Sequence, residues 1–321
     1  MAGRDSLAGL ASELALALRE EVLPLLGAHE GRGQVRGTTA GQGGDVTFAI
    51  DERAESFMER FLLERAPEVA FYSEDRGLVT PDDGAQWVLI VDPIDGTRPA
   101  MAGFESACVS VAVAPLESEP RMGDVLVGCV AEIKSGKLHR AERGRGVHPP
   151  PSLSTNRDLG RMFWCYGLRG RPARPMAEVL AGLIDASSVG GASFDLGSAA
   201  YDMTRVVSGQ LDAYVEPGPR VVADVPGMGA EFEHVGRGAI LNNSPYDLAA
   251  AALCLEEAGA VISDAYGSAI TDRPLLGSGP EYQISVVAAA NQELHAAICA
   301  AIDAGVERLV TAAAGHGREV A

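Results

Sequence analysis

The chain has 321 residues, with 44 Asp or Glu against 26 Lys or Arg and a formal net charge of -18. Nucleic acid and anionic membrane surfaces both require a basic face that displaces counterions, so this balance argues against either as a partner. Hydrophobic residues at 47% and charged residues at 22% are ordinary for a globular protein, and the length points to two domains or one large α/β unit.

Five cysteines, Cys108, Cys129, Cys165, Cys254 and Cys299, are scattered and form no Cys-x-x-Cys pair. They read as buried thiols of a reducing, cytoplasmic compartment rather than as a zinc site. The six histidines (His29, His139, His148, His234, His295 and His316) show no metal-ligand spacing either. No apolar run approaches the length of a membrane span. Arg4 precedes an apolar stretch in the manner of a signal peptide, but Glu13, Arg19, Glu20 and Glu21 interrupt it.

The spacing of Leu7, Leu10, Leu14 and Leu18 predicts an amphipathic helix over 5–27. Residues 30–44 are rich in Gly and Thr and read as a mobile loop. Asp45 stands where a helix N-cap should be. Ile50, Ala54, Phe57, Met58, Phe61 and Leu62 then predict a second amphipathic helix. Two apolar runs follow, each ending in carboxylates: 69–72 into Ser73-Glu74-Asp75, and 87–91 into Asp92. The strand pattern continues over 106–115, 124–133 and 137–142, which makes an α+β layer. Arg143–His148 reads as a strand-end turn rather than a nucleic-acid patch.

Pro149-Pro150-Pro151 breaks the chain, and the domain boundary is placed there, giving units 1–152 and 153–321. The second unit alternates in α/β fashion. A strand at 162–166 precedes helices near 174–184 and 197–208 and a strand at 211–215. Residues 217–245 read as irregular. A helix at 247–258, strands at 260–263 and 283–288, and a helix at 290–304 complete the pattern, with a frayed tail after about 311. Gly-x-Gly strings within 218–229 lack a dinucleotide fingerprint.

Asp92-Pro93-Ile94-Asp95-Gly96-Thr97 carries the most chemistry. A strand delivers Asp92, Pro93 fixes the turn, and Gly96 lets the backbone bend, so both aspartates face one centre. The amides of Gly96 and Thr97 remain free for a phosphate. Glu74 reaches the same centre if the two carboxylate-tipped strands are adjacent. Asp-Pro and Asp-Gly are also common turn dipeptides, so any one of these acids taken alone is equally a turn residue.

The hexapeptide resembles the signature of the inositol monophosphatase family, and the likeness runs through most of the chain. Val46–Asp51 with Glu55 is similar to the family's early aspartate helix, Ser73-Glu74-Asp75 to its metal-ligand glutamate, and Cys108-Val109-Ser110-Val111 to its next strand. Gly197-Ser198-Ala199-Ala200, Asp212–Glu216, Pro245–Ala250 and Glu257–Ala260 resemble its later motifs. The resemblance implies an αβαβα sandwich with two subdomains and a Mg²⁺-dependent phosphatase of small phosphate monoesters, inositol-1-phosphate by default. It implies two to three Mg²⁺ ions. Glu74, Asp92 and the Ile94 carbonyl would hold the first, and Asp92, Asp95 and Asp247 the second. A weaker third would lie near Glu74. Thr97, Asp51 and Glu74 would activate the attacking water. Asp95, Gly96, Thr97, Ala199, Glu216 and Asp247 would bind substrate. Lithium sensitivity and a homodimer are further family expectations.

Bland alternatives stand beside these roles: a surface charge for Glu216, an N-cap for Thr97, a helix-surface carboxylate for Asp51. Two features depart from the pattern. Arg98-Pro99-Ala100 follows Thr97, so Arg98 either meets a second anionic group or points to solvent. Residues 218–243 exceed the family's usual length and act as a lid, read the substrate, or form a passive excursion. Fructose-1,6-bisphosphate, 3′-phosphoadenosine 5′-phosphate and histidinol phosphate are therefore alternative substrates, and a catalytically weak binding protein is the alternative of another class.

Overall fold

The computed structural model describes residues 4–28, 47–81 and 84–319. The expected loop at 30–44 and the Asp45 cap lie outside them.

Seven strands form the first sheet: β1 (Ala70–Ser73), β2 (Gly77–Val79), β3 (Trp87–Asp95), β4 (Cys108–Pro115), β5 (Val127–Glu132), β6 (Leu138–Glu142) and β7 (Gly146–His148). Their order is β2-β1-β3-β4-β5-β6-β7, with β1 and β3 parallel and the other neighbours antiparallel. Strands β3 and β4 are buried on both faces, which is why their sequences are almost continuously apolar.

Helices α1 (Arg4–Val22) and α2 (Ala49–Arg65) cover one face. Leu7, Leu14, Leu18, Met58 and Leu62 pack there with Leu89, Val91, Val109 and Val111. Val88 and Ile90, one residue out of phase on β3, point to the opposite face, as the two-residue period of a strand requires. Behind that face lie α5 (Ala199–Val207) and α8 (Pro245–Ala258). Helix α8 crosses β5 closely: a Cβ added to Gly128 would stand 2.5 Å from the Ala250 carbonyl oxygen.

On the far side of these helices is the second sheet: β8 (Phe163–Tyr166), β9 (Ala192–Phe194), β10 (Ala213–Glu216), β11 (Val261–Ser263) and β12 (Val286–Ala289), in the order β11-β12-β10-β8-β9. Its outer face is covered by α4 (Ala173–Ser187) and α9 (Gln292–Glu319), through Val179, Leu180, Leu183, Leu294, Ile298 and Ile302. The layers therefore run helix, sheet, helix, sheet, helix. Residues 70–148 build one sheet and 163–289 the other, and one core of Ile90, Cys108, Met203, Leu248 and Tyr214 joins both to the central helices.

Two expectations change. The stretch 217–245 is not irregular throughout: it contains α6 (Gly218–Asp224) and α7 (Met228–Val235). Pro226-Gly227 breaks the helical period, which hides it in the sequence, while Val221, Val225 and Phe232 bury into the outer core. The C-terminal tail is helical to Glu319, continuing α9 beyond residue 311; helix-forming Ala312-Ala313-Ala314 lie in that turn. Among the described residues, no helix is long and apolar enough to cross a membrane.

Candidate active site

The centre forms where β3 ends. Regular pairing with β4 holds as far as Asp92 and Ser110, shifts across Pro93-Ile94, and resumes at Asp95 and Cys108. Pro93 cannot donate to a ladder, so a break here is expected. The shift turns Asp92 and Asp95 to the same side. Gly96 follows at φ 88°, and a Cβ there would lie 2.7 Å from the Ser106 carbonyl oxygen. Both facts demand glycine.

Each aspartate is held by main chain. Asp92 Oδ1 accepts from the Ile94 amide at 3.0 Å. Asp95 Oδ2 accepts from the Ala200 amide at 2.6 Å and the Ser198 hydroxyl at 2.8 Å, at the start of α5. Asp247 Oδ2 accepts from the Ser244 amide at 2.6 Å in the first turn of α8. One carboxylate oxygen from each of these three residues lies within 4.8 Å of the others. Burial pushes all three carboxyls above their usual range. Asp95 next adds to the upward push on both Asp92 and Asp247, whereas the Ala200 amide and Ser198 hydroxyl hold Asp95 back.

Glu74 follows Ser73, which pairs with Val91, so it stands beside Asp92 and raises that carboxyl further. It lines the same cleft but is not one of the three closely spaced acids. Beneath it Ser73 Oγ donates to the buried Glu55 at 2.8 Å.

Thr97 opens the short helix α3 (Thr97–Ala102) at its first position; the N-cap is Gly96, so the N-cap alternative for Thr97 falls. Its hydroxyl lies 2.9 Å from Asp51 Oδ1 and 3.2 Å from the Ile94 carbonyl. Asp51 Oδ2 accepts from the Phe48 amide at 2.9 Å. One carboxylate thus caps α2 and meets Thr97, and Asp51 is no idle surface acid.

The cleft has two arms that share Glu74, Asp95, Arg169, Asp195, Gly197 and Asp247. The near arm adds Asp92, Ile94, Gly96 and Thr97, with Arg98 and Phe104 at its wall. The Arg98 guanidinium sits 5.2 Å over the Phe48 ring. The far arm adds Ala199, Asp202, Tyr214, Glu216 and Leu241-Asn242-Asn243. Residues 241–243 of the long segment are therefore cleft wall, while the segment's earlier helices are anchored in the core. Glu216 is completely buried, which corrects its reading as a surface charge.

Arg169, Arg171, Asp195 and Asp202 had no place in the sequence-based site. Arg169 and Arg171 carry a weak signal, since they fall in the turn that follows the apolar run of β8, as Glu74 follows that of β1. Asp202 is a lone acid among the buried residues of α5.

The three closely spaced donors are all carboxylate oxygens, without Cys Sγ or His nitrogen in the group. That set fits a hard divalent cation and disfavours zinc or copper.

A sequence model of the inositol monophosphatase family matches residues 5–307. The chain is 29% identical over 301 residues to a fructose-1,6-bisphosphatase/inositol-1-monophosphatase of Methanothermobacter thermautotrophicus, covering 89% of this chain and 93% of that one. It is 26% identical over 234 residues to the Nus factor SuhB of Vibrio cholerae, covering 72% and 76%. The solved structure of the Thermotoga maritima IMPase has the same fold, with a TM-score of 0.67 at 18% identity over 94% of this chain and 98% of that one. With its layers, the Asp92–Thr97 turn and the match across nearly its whole length, the chain belongs to the inositol monophosphatase family.

Proposed function

We propose that this phosphoric monoester hydrolase is a Mg²⁺-dependent phosphatase of small polyol or sugar phosphates, with inositol-1-phosphate the first substrate to test. The observation that carries the reading is the group of three carboxylates within 4.8 Å, two buried and Asp247 half-buried, beside the Thr97–Asp51 contact and inside one cleft. Glu74, Asp92 and the Ile94 carbonyl would hold one ion, Asp92, Asp95 and Asp247 a second, and a weaker third would lie near Glu74. When bound, Mg²⁺ lowers the pKa of a coordinated water and neutralises charge on the phosphate and the departing oxygen.

The chain's own groups supply the rest. Thr97 donates its proton to Asp51 and so turns its oxygen lone pairs toward an incoming water, whose proton passes to this pair. Glu74 stands on the same side of the cleft and helps to orient that water. The amides of Gly96 and Thr97 receive phosphate oxygens. Asp95, Glu216, Asp247 and the backbone at Ala199 border the space for the alcohol's hydroxyls. In this reading units 1–152 and 153–321 each contribute one side of the cleft, and the enzyme is a cytoplasmic homodimer. The five free cysteines support a reducing location; sedimentation tests the dimer.

The test is phosphate release from inositol-1-phosphate, fructose-1,6-bisphosphate, 3′-phosphoadenosine 5′-phosphate and histidinol phosphate, each with Mg²⁺ and with EDTA. Release that depends on Mg²⁺ and is fastest for inositol-1-phosphate supports the reading. Preference for the nucleotide sinks the polyol assignment, and no release from any of the four points to a binding protein instead.

A further inference from the structure

A separate cavity, of about 320 Å³, adjoins the far arm, and Gln283 lines both. The Gln283 side chain donates to the Ile240 carbonyl at 2.5 Å and accepts from Asn242 Nδ2 at 3.0 Å, which makes it the partition between cavity and cleft. One wall of the cavity is α6, through Pro219, Arg220, Val222 and Ala223. That helix belongs to the 218–243 stretch that exceeds the family's usual length, so this wall is particular to the chain. The remainder comes from the connection between β11 and β12 and includes Asp264, Arg273 and Ser285.

Arg273 is the group that calls for a ligand. Each of the three buried arginines has a carboxylate at ion-pair distance: Arg171 has Glu216, Arg205 has Glu132, and Arg220 has Asp224 and Asp303. Arg273 is half-buried and has no carboxylate partner among the described residues, in a chain with 44 Asp or Glu. Its Nη2 donates to the Gln283 carbonyl at 3.0 Å, and its Nε is buried without a hydrogen-bond partner. Withdrawing a guanidinium from water without a counter-charge is costly, and an anion entering the cavity offsets that cost.

The neighbouring groups indicate which anion. Arg220 Nε donates to Asp224 at 3.2 Å and Nη1 to Asp303 and the Ala265 carbonyl at 2.6 Å each, which leaves Nη2 to meet a ligand. Ser285 Oγ accepts from the Ala265 amide at 3.0 Å, and its proton has no acceptor among the described residues. Asp264 is the acid of the wall. Its Oδ1 already accepts from the Tyr266 and Ser268 amides at 2.9 and 2.8 Å. Hydrogen phosphate suits this set, because it offers charged oxygens to the donors and a hydroxyl to the remaining oxygen of Asp264. Guanidinium pairs with phosphate through short, charge-assisted hydrogen bonds.

We propose that this cavity is a second phosphate site, distinct from the carboxylate centre. Arg273 matches the charge of the anion, Arg220 Nη2 and the Ser285 hydroxyl donate to its other oxygens, and Asp264 accepts its proton. The site needs no metal, whereas the carboxylate centre holds phosphate only through one.

Calorimetric titration with inorganic phosphate at neutral pH and fixed ionic strength separates the two sites. In EDTA the bare carboxylates repel phosphate, so wild type should bind a single phosphate per chain, with a dissociation constant of about 1 mM or below. Arg273→Gln removes the unmatched charge and should weaken that binding about 10-fold or more. Ala223→Glu supplies a carboxylate from an exposed position of the α6 wall and should weaken it at least as much, about 10-fold or more. Because Ala223 is exposed, this variant decides the matter should Arg273→Gln fail to fold. The proposal is overturned if wild type binds no phosphate in EDTA, or if Ala223→Glu binds it as wild type does. With Mg²⁺ a further phosphate should bind to wild type and variants alike. Its absence counts against the phosphatase reading and leaves the second site standing.

Discussion

Glu55 offers a measurement of electrostatics directly beneath the site. It is 2% exposed, and burial pushes its carboxyl up to about 7 from 4.5, opposed by the Ser73 hydroxyl and reinforced by Asp75. The folded protein therefore holds this proton more tightly than the unfolded chain does. Stability from this group is complete below pH 4.5, falls as pH rises toward about 7, and is fully lost above that. A difference of two to three units corresponds to about 3 kcal/mol. Glu55→Gln removes the titration while keeping the shape: the amide oxygen can accept from the Asp75 amide, and its NH₂ can donate to Ser73 Oγ, which accepts as readily as it donates. Urea unfolding of both proteins in EDTA across pH 5 to 8.5 isolates the effect. The variant should gain on wild type by about 1.4 kcal/mol per pH unit up to neutrality and then hold a constant lead of about 3 kcal/mol. A stability difference independent of pH would refute the buried-acid argument.

Asp95→Asn should lower Mg²⁺-dependent turnover by at least about 100-fold while the far-ultraviolet circular dichroism stays native, since Ser198 can still bond the side chain; near-normal turnover refutes the metal assignment. Thr97→Val removes the hydroxyl that meets Asp51 and should reduce kcat by about 100-fold or more with little change in KM, read by steady-state kinetics. Gly96→Ala combines a positive φ with a 2.7 Å clash against backbone and should cost about 3 kcal/mol or more in denaturant unfolding. Gly128→Ala has no φ strain but drives a Cβ into Ala250 of α8, one turn from Asp247, and should weaken Mg²⁺ binding about 10–100-fold by calorimetry. Gly182→Ala, in open space on α4, is its control and should stabilise by about 0.5–1 kcal/mol.

What could be read from the sequence was what lies close along the chain. Apolar runs ending in Glu74 and in Asp92–Thr97 announced strands that deliver carboxylates, and the leucines of α1 announced its buried face. The cradle around Asp95 could not be read this way, because Ser198 and Ala200 lie more than 100 residues further on and reach it only once α5 packs behind the first sheet. The Pro-Gly turn after Glu216 left a surface charge open beside its substrate-facing reading, while its ion-pair partner in the buried interior, Arg171, comes 45 positions earlier. The 217–245 segment looked irregular because Pro and Gly break its period. Its helices exist because Val221, Val225 and Phe232 find the outer core, a tertiary gain that local propensity does not register.

The fold also bears on how an acidic protein keeps its acids together at one point. Asp51 and Asp247 each lie in the first turn of a helix and accept the amide of that helix's N-cap residue, and Asp95 accepts amides at the start of a third. Helix N-termini favour negative charge, by about 0.3–1 kcal/mol each and up to about 2 in buried geometry. Removing a carboxylate from water costs several kcal/mol, so these amides offset only part of the burial of Asp92, Asp95 and Asp247. Asp92 is the worst placed: its carboxylate accepts the single amide of Ile94 and faces Asp95, Asp247 and Glu74. The imbalance is largest where the three oxygens converge, and it is met either by protons or by a cation. Protonation would leave no charge to orient a metal or a water. A bound divalent cation removes the imbalance and keeps all three groups ionised, so lowering pH and removing metal should impair the same step through the same residues.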